Sequence, residues 1–136
     1  MHLFLIDLFV SLDTLSPVIK TISKKNVSIC NVNPVNEFKT LDLYREIEKY
    51  IINFHDIPLS NLDKIFFFFI KIFLVFLPKP ILKKFGYIWH YIYKQKEYSS
   101  KKLIKKYLIL HKIKSITYEE SIPLKIIEKF YNAAED

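Results

Sequence analysis

The chain of 136 residues is long enough for one modest domain, and its 51% hydrophobic and 16% aromatic residues can supply a core, which argues against disorder. Its single glycine, Gly86, all but excludes the GxGxxG and GxxxxGK[ST] loops, which need several glycines for the backbone to approach a phosphate. Its single cysteine, Cys30, excludes an intrachain disulfide and a thiolate zinc site.

The net charge of +7 is concentrated in the middle of the chain. Thirteen lysines and one acidic residue, Glu97, lie between residues 64 and 114, so the rest of the chain is net acidic. This asymmetry indicates an anionic partner for the middle: phospholipid headgroups, nucleic acid or a phosphorylated substrate. Arg45 is the only arginine, and because nucleic-acid recognition usually relies on arginine, nucleic acid is the less favoured partner.

The first part of the chain predicts a βαβ unit. Residues 3–10 form a short apolar run typical of a buried strand, in which Asp7 is costly unless its carboxylate is paired or reaches the strand's end. Ser16 is a favourable N-cap and Pro17 suits the first helical position, so we expect a helix to begin there. Residues 27–32 form a second buried strand, and the two strands should be parallel with a right-handed crossover.

The rest of the chain continues to alternate between helices and strands. The expected helices cover residues 43–49, 101–111 and 124–134, and the expected strands cover residues 50–54 and 114–118. Ser100 is the expected cap of the second of these helices, and His55 is expected in a loop. The pattern predicts one α/β domain over residues 1–136, Rossmann-like in three layers, with a small parallel sheet of about four strands.

Residues 62–94 are expected to form an inserted pair of hydrophobic, basic helices. Residues 65–77 are apolar except for Lys71, and as a helix they would cover about 20 Å, short of the roughly 30 Å hydrocarbon core of a bilayer. Two prolines interrupt the run, and apolar residues then recur at helical spacing. Three interpretations stay open: two core helices of a soluble domain, two helices lying in a membrane interface, or a transmembrane hairpin.

Two groups of polar residues are candidates for a substrate cleft at the carboxyl ends of the strands. The groups are Ser11, Asp13, Thr14 and Ser16 after the first strand, and Glu119, Glu120 and Ser121 after the last. Ligands gather at such loops in open α/β folds, although helix capping also accounts for the first group. Paired carboxylates in the second group can share acid–base catalysis or can simply favour a helix N-terminus. The groups should meet if the first and last strands are parallel neighbours.

The candidates for contact with an anionic membrane surface belong to the hydrophobic helical pair. They are Lys71, Lys79, Lys83, Lys84 and Trp89. Lysine side chains at an interface extend to the headgroups, and tryptophan sits at the boundary. No metal site is predicted, because no pair of histidines has a ligand spacing such as HExxH.

A resemblance to a known class of proteins lies in three stretches: HLFLIDLFVSLDTLSPVI, VSICNVNP and KSITYEESIPLKIIEKFYNAA. They resemble the N-terminal half of bacterial surface-carbohydrate biosynthesis proteins, which are similar to two-domain GT-B glycosyltransferases and to CDP-glycerol glycerophosphotransferases. The resemblance implies a Rossmann-like acceptor-side domain with a basic helical patch that receives lipid-linked or saccharide acceptors. It places the nucleotide-sugar or CDP-linked donor mostly in a C-terminal domain beyond this chain, so no cofactor is expected here.

These observations predict the acceptor-side, membrane-surface domain of a GT-B-like transferase of surface polysaccharide biosynthesis. We expect it to be the front part of a longer protein, inactive alone, and cytoplasmic at the inner face of the cytoplasmic membrane. Two alternatives stay open: a non-enzymatic basic module that binds nucleic acid, and a soluble α/β scaffold.

Overall fold

The computed structural model describes residues 1–22, 26–95 and 101–135, with the backbone alone for residues 89–95. The strands of this part are β1 (His2–Ile6), β2 (Val27–Asn31), β3 (Ile51–Asp56) and β4 (Ser115–Tyr118). Its α-helices are α1 (Phe9–Thr21), α2 (Asp42–Ile47), α3 (Asn61–Phe76), α4 (Lys79–Gln95), α5 (Lys101–Leu110) and α6 (Leu124–Glu135). Short 3-10 turns at Phe38–Thr40 and Glu48–Tyr50 flank α2.

The four described strands form one parallel sheet in the order β3-β2-β1-β4. His2 lies opposite Val27 of β2 on one side and opposite Ser115 of β4 on the other. The chain therefore steps outward from β1 to β3 and then returns to place β4 on the far side of β1. The predicted fold class is confirmed: a Rossmann-like α/β domain, with a topological switch point between β1 and β4.

Side chains of β1 alternate between the two faces of the sheet, and each face has its own core. Phe4 and Ile6 pack beneath α1 and α2, whereas Leu3 and Leu5 pack on the opposite face beneath α5 and α6. The residues buried with the first pair are Leu12, Leu15, Ile19, Val27, Ile29, Phe38, Tyr44 and Ile47. Those buried with the second pair are Cys30, Val32, Ile57, Phe67, Ile104, Tyr107, Leu108, Ile122, Ile126, Phe130 and Ala133. The result is three layers: helices, sheet, helices.

Helix α1 begins earlier than predicted, and β1 is correspondingly shorter. The N-cap is Leu8, whose backbone N–H donates to the side-chain oxygen of Ser11 at 3.4 Å. The prediction that Ser16 is the N-cap and Pro17 the first helical residue is wrong. Pro17 lies inside the helix on its exposed side, where the carbonyl that loses its N–H donor can meet water, and Ser16 is buried. Leu12, Leu15 and Ile19 recur at helical spacing and pack in the core, and this burial outweighs the local helix-start pattern of Ser16 and Pro17.

Two other boundaries differ from the prediction. Strand β3 continues to Asp56, so His55 lies in a strand and not in a loop. The helix expected over residues 43–49 is split into α2 and a 3-10 turn. The predicted cap Ser100 lies outside the described residues.

Candidate functional site

A polar residue ends or follows each of the four described strands. Asp7 and Glu119 come directly after β1 and β4, and Asn31 and Asp56 are the last residues of β2 and β3. Because the strands are parallel, these four side chains share the carboxyl edge of the sheet. Ligands of open α/β sheets bind at this edge, beside the switch point.

The first cluster of this edge lies at the switch point and comprises Asp7, Glu119 and Ser121. The Ser121 hydroxyl lies 2.8 Å from Oδ1 of Asp7 and 3.5 Å from Oε2 of Glu119. A hydroxyl has one proton to donate, and the shorter distance favours Asp7 as the acceptor. Asp7 is fully buried, whereas Glu119 is half-buried and faces the edge. The cluster therefore presents a hydroxyl between two carboxylates.

The second cluster is a network of amides centred on the buried Asn31. Its Nδ2 donates to Oδ1 of Asp56 at 2.9 Å and to the carbonyl of Asn36 at 3.1 Å. Its Oδ1 accepts the backbone N–H of Asn33 at 3.0 Å. The Asn36 amide in turn donates to the carbonyl of Asp7. This network ties the ends of β1, β2 and β3 together and holds the loop after β2 in one conformation.

A small polar cavity of about 290 Å³ opens beside the amide network. Its lining includes Asn36 and Asp56 together with Lys39 and Lys71. Lys71 reaches the cavity from α3, with its ammonium 3.9 Å from a carboxylate oxygen of Glu37. The cavity therefore combines both charge signs with amide donors, a chemistry suited to a hydroxyl-bearing or phosphorylated ligand.

The predicted cleft residues divide into two sets. Ser121 contacts both Asp7 and Glu119, and Glu120 is exposed. In the described residues, no hydrogen bond or ion pair joins this group to the first one. The first predicted group lies within α1: Asp13 and Thr14 are exposed and Ser16 is buried. The Thr14 hydroxyl donates back to the carbonyl of Val10 in the preceding turn, at 3.2 Å.

The sequence analysis missed Asp7, Asn31, Asn36 and Asp56 as members of this edge. A signal was present in the segment NVNPVN after β2, because asparagines in such a loop commonly bind nearby backbone groups. Asp7 carried a second signal as the one charged residue of an apolar run.

Helices α3 and α4 expose a large apolar surface. Phe67 of α3 is buried, but most of the other apolar side chains that the structure describes on these two helices are exposed. The exposed ones are Leu62, Ile65, Phe68, Phe69, Ile72, Phe73, Val75, Phe76, Ile81, Leu82, Tyr87 and Ile88. The helices contact each other through Phe73 and Phe85, whose ring centroids are 5.5 Å apart. We call the exposed face of α3 and α4 the hairpin surface.

The predicted membrane-contact lysines lie on these two helices. Lys79, Lys83 and Lys84 are exposed on α4, and Lys71 is half-buried. The side chain of Trp89 lies outside the described part of the chain. Among the described residues, no helix combines the length and apolarity that crossing a bilayer requires.

An aromatic and histidine cluster lies between β3 and α5, on the core face. The ring centroid of His55 is 4.3 Å from that of His111 and 5.9 Å from that of Tyr107. Burial lowers the pKa of His55, and the nearby His111 lowers it further.

Burial raises the pKa of the Cys30 thiol and of the Tyr107 hydroxyl well above their usual ranges. Cys30 is fully buried and packs as a core residue. In the described ranges, no group of three or more His, Cys, Asp or Glu side chains is arranged to hold a metal ion.

Comparisons of this chain with protein-family models, with curated proteins and with solved structures each found no match. Function is therefore inferred from the two features described above. One is the polar carboxyl edge with its switch point, and the other is the hairpin surface.

Proposed function

We propose that this chain binds the surface of an anionic membrane through the hairpin surface. The observation that carries the proposal is the exposure of apolar side chains along α3. Leu62, Ile65, Phe69, Ile72 and Phe76 recur at spacings of three and four residues and so form one stripe, and Phe69 and Phe76 are 63% and 79% exposed. An apolar stripe of this kind in contact with water is uncommon and marks an interaction surface.

The charges beside the stripe favour a lipid surface as the partner. Lys79, Lys83 and Lys84 are exposed at the start of α4, and α4 has no acidic residue in its first turn. Helices that lie in a membrane interface combine such an apolar face with lysines that reach the headgroups. Each lysine near an anionic leaflet contributes about 1 kcal/mol of attraction. The buried Phe67 packs in the core and so attaches α3 to the domain.

We further propose that the chain is the acceptor-side domain of a GT-B-like transferase of surface polysaccharide synthesis, at the cytoplasmic face of the membrane. The Rossmann-like sheet and the stretches that resemble such proteins support this proposal. The half-buried Glu119 and Ser121 support it as well, because a carboxylate and a hydroxyl can bind the hydroxyl groups of a saccharide or lipid-linked acceptor. The donor would bind in a second domain, and the chain alone would not catalyse transfer.

Vesicle flotation tests the membrane proposal. We expect the chain to float with vesicles that contain phosphatidylglycerol and to remain with the soluble fraction when vesicles contain phosphatidylcholine alone. Replacing Lys79, Lys83 and Lys84 with Gln should weaken binding by about 1 kcal/mol per lysine. A control replaces two lysines that are exposed on α5, Lys102 and Lys106, with Gln and should keep binding nearly unchanged.

Two results would contradict the membrane proposal. One is equal binding to neutral and anionic vesicles, and the other is an equal loss in the α5 control. Binding to duplex DNA that falls steeply with salt, without binding to vesicles, would instead indicate a nucleic-acid module. Acceptor binding is tested separately by titrating a saccharide acceptor into the Ser121→Ala variant, so the two parts of the proposal can fail independently.

A further inference from the structure

An apolar groove of about 710 Å³ runs along the outer edge of β4, between α5 and α6. It lies on the opposite edge of the sheet from β3 and is separate from the carboxyl-edge clusters. Its apolar lining includes Leu108, Ile109, Ile113, Ile116, Ile127 and Tyr131. A groove of this size and lining is large enough for several side chains of a ligand.

Strand β4 stands at the edge of the sheet in the described part of the chain and pairs with β1 on its inner side. An edge strand directs half of its backbone N–H and C=O groups outward, where they can bind a further strand. The two faces of β4 differ. Ile116 packs against the core on the groove side, whereas the hydroxyls of Ser115 and Thr117 bind the ring nitrogens of His2 on the other side. An added strand would therefore meet an apolar surface on one face and a polar surface on the other.

The charges around the groove favour a particular partner. Lys105, Lys112 and Lys114 line it, against one acid, Glu128. A second copy of this chain would bring the same lysines together, which is unfavourable, whereas acidic side chains at the ends of a partner strand would be attracted.

We propose that the β4 edge binds an extended segment of another polypeptide, which adds a fifth strand to the sheet. The segment has apolar side chains at every second position, which enter the groove, polar side chains between them, and acidic residues at its ends. Backbone hydrogen bonds to β4 provide part of the affinity, and the alternating side chains provide the specificity. This interaction is separate from the proposed membrane contact, because none of the described side chains of α3 and α4 lines the groove.

Fluorescence polarisation with the whole chain tests the inference. The probe is a labelled synthetic peptide of alternating valine and threonine with aspartates at both ends. We expect saturable binding that weakens at least about tenfold when the peptide amides that face β4 are N-methylated, because N-methylation removes the donors that pair with β4. Replacing the aspartates with lysines should also weaken binding.

Adjacent positions on α5 provide a matched pair of protein variants. Ile109 lines the groove and Leu110 does not, and the two are 67% and 69% exposed. We expect Ile109→Glu to weaken peptide binding at least about tenfold, because the peptide would desolvate the new carboxylate and the carboxylate would repel the peptide's aspartates. Leu110→Glu should leave binding unchanged. Circular dichroism of both variants reports whether they fold. The tests with the altered peptides use the wild-type chain, so they do not depend on the folding of these variants.

Three results would overturn the inference. The first is equal affinity for the N-methylated peptide, which would show an apolar ligand site without strand pairing. The second is equal binding by the Ile109→Glu and wild-type chains. The third is self-association of the chain that Ile109→Glu abolishes while the peptide fails to bind, which would assign the edge to a second copy.

Discussion

The Ser121 hydroxyl donates to Oδ1 of Asp7 at 2.8 Å, and this contact joins two residues that are 114 positions apart in the chain. The contact bridges the two strand ends at the switch point, because Asp7 follows β1 and Ser121 follows β4. The backbone carbonyl of Asp7 also accepts the Asn36 amide from the loop after β2. Asp7 is therefore the residue at which the polar groups of three strand ends meet.

Replacing Ser121 with Ala is expected to lower the free energy of unfolding by about 1–3 kcal/mol. The reason is that the fully buried Asp7 loses a donor that water does not fully replace. Denaturant unfolding measures the change. Glu120→Ala, at the exposed neighbouring position, is the control and should have almost no effect. Equal stability of the Ser121→Ala and wild-type chains would show that the hydrogen bond contributes nothing to the fold.

Replacing Asn31 with Asp is expected to destabilise the chain by about 3 kcal/mol at neutral pH. The substitution keeps an acceptor for the Asn33 N–H. It also replaces the Nδ2 group, which in the wild type donates to Oδ1 of Asp56 and to the carbonyl of Asn36, with an oxygen that repels both. Repulsion would raise the pKa of the new carboxyl above its unfolded value of about 3.9. The loss should therefore be full above the raised pKa and become smaller as the pH falls through it, since the protonated form can donate again.

Unfolding of Asn31→Asp at neutral and at acidic pH, compared with wild type at each pH, measures this dependence. Asn132→Asp, on the exposed side of α6, is the matched control and should show neither the loss nor its pH dependence. A loss that is the same at both pH values would contradict the repulsion.

The sheet could be predicted from the sequence because its strands are continuous apolar runs between polar loops. Residues 27–32 and 114–118 coincide with β2 and β4 to within one residue at each end. Their parallel pairing with β1 follows from the helices that separate them. That pairing alone predicts Glu119, Glu120 and Ser121 near the polar residues that follow the first strand. Ser121 instead contacts Asp7, directly after β1.

Other features could not be predicted, because they depend on contacts between distant residues. Ser16 and Pro17 have the local pattern of a helix start, yet the core face of α1 places them inside the helix. The bond between Asn31 and Asp56 exists because β2 and β3 are neighbours, which no local pattern reports. The proximity of His55 to His111 likewise requires α5 to lie over β3.

The stability of the chain is expected to fall as the pH is lowered from about 7 to about 5. Burial is the main cause that lowers the pKa of His55, and the nearby His111 and Lys39 lower it further. Together these effects outweigh that of Asp56, which raises the pKa. A histidine whose pKa is lower in the folded chain than its unfolded value of about 6.5 stabilises the fold fully above that unfolded value. The contribution is lost as the pH falls from there through the lower folded pKa. Denaturant midpoints across this range measure the slope.

His55→Phe is the variant that isolates this effect, because phenylalanine keeps an aromatic ring against Tyr107 but does not titrate. We expect a flatter pH profile that retains a residual slope from His2, whose pKa is also lowered, by burial and then by the N-terminal ammonium. An unchanged slope in His55→Phe would assign the pH dependence to other groups.

Two adjacent phenylalanines of α3 are expected to separate folding from membrane binding. Phe67 is 3% exposed and packs in the core, whereas Phe68 is 60% exposed on the hairpin surface. Phe67→Ala should lower the free energy of unfolding by about 3 kcal/mol or more, because it leaves a cavity. Phe68→Ala should change it by less than about 0.5 kcal/mol but should weaken vesicle binding by on the order of 1 kcal/mol, because that ring leaves water only at the membrane.

Unfolding in solution and flotation with anionic vesicles, measured on both variants, give the comparison. The two positions differ by one residue, so helix propensity and local charge are nearly the same and the difference in burial decides the outcome. If Phe68→Ala destabilised the soluble chain as much as Phe67→Ala, the apolar face of α3 would be covered by protein in solution. It would then not be free to meet lipid, and the membrane proposal would lose the observation that carries it.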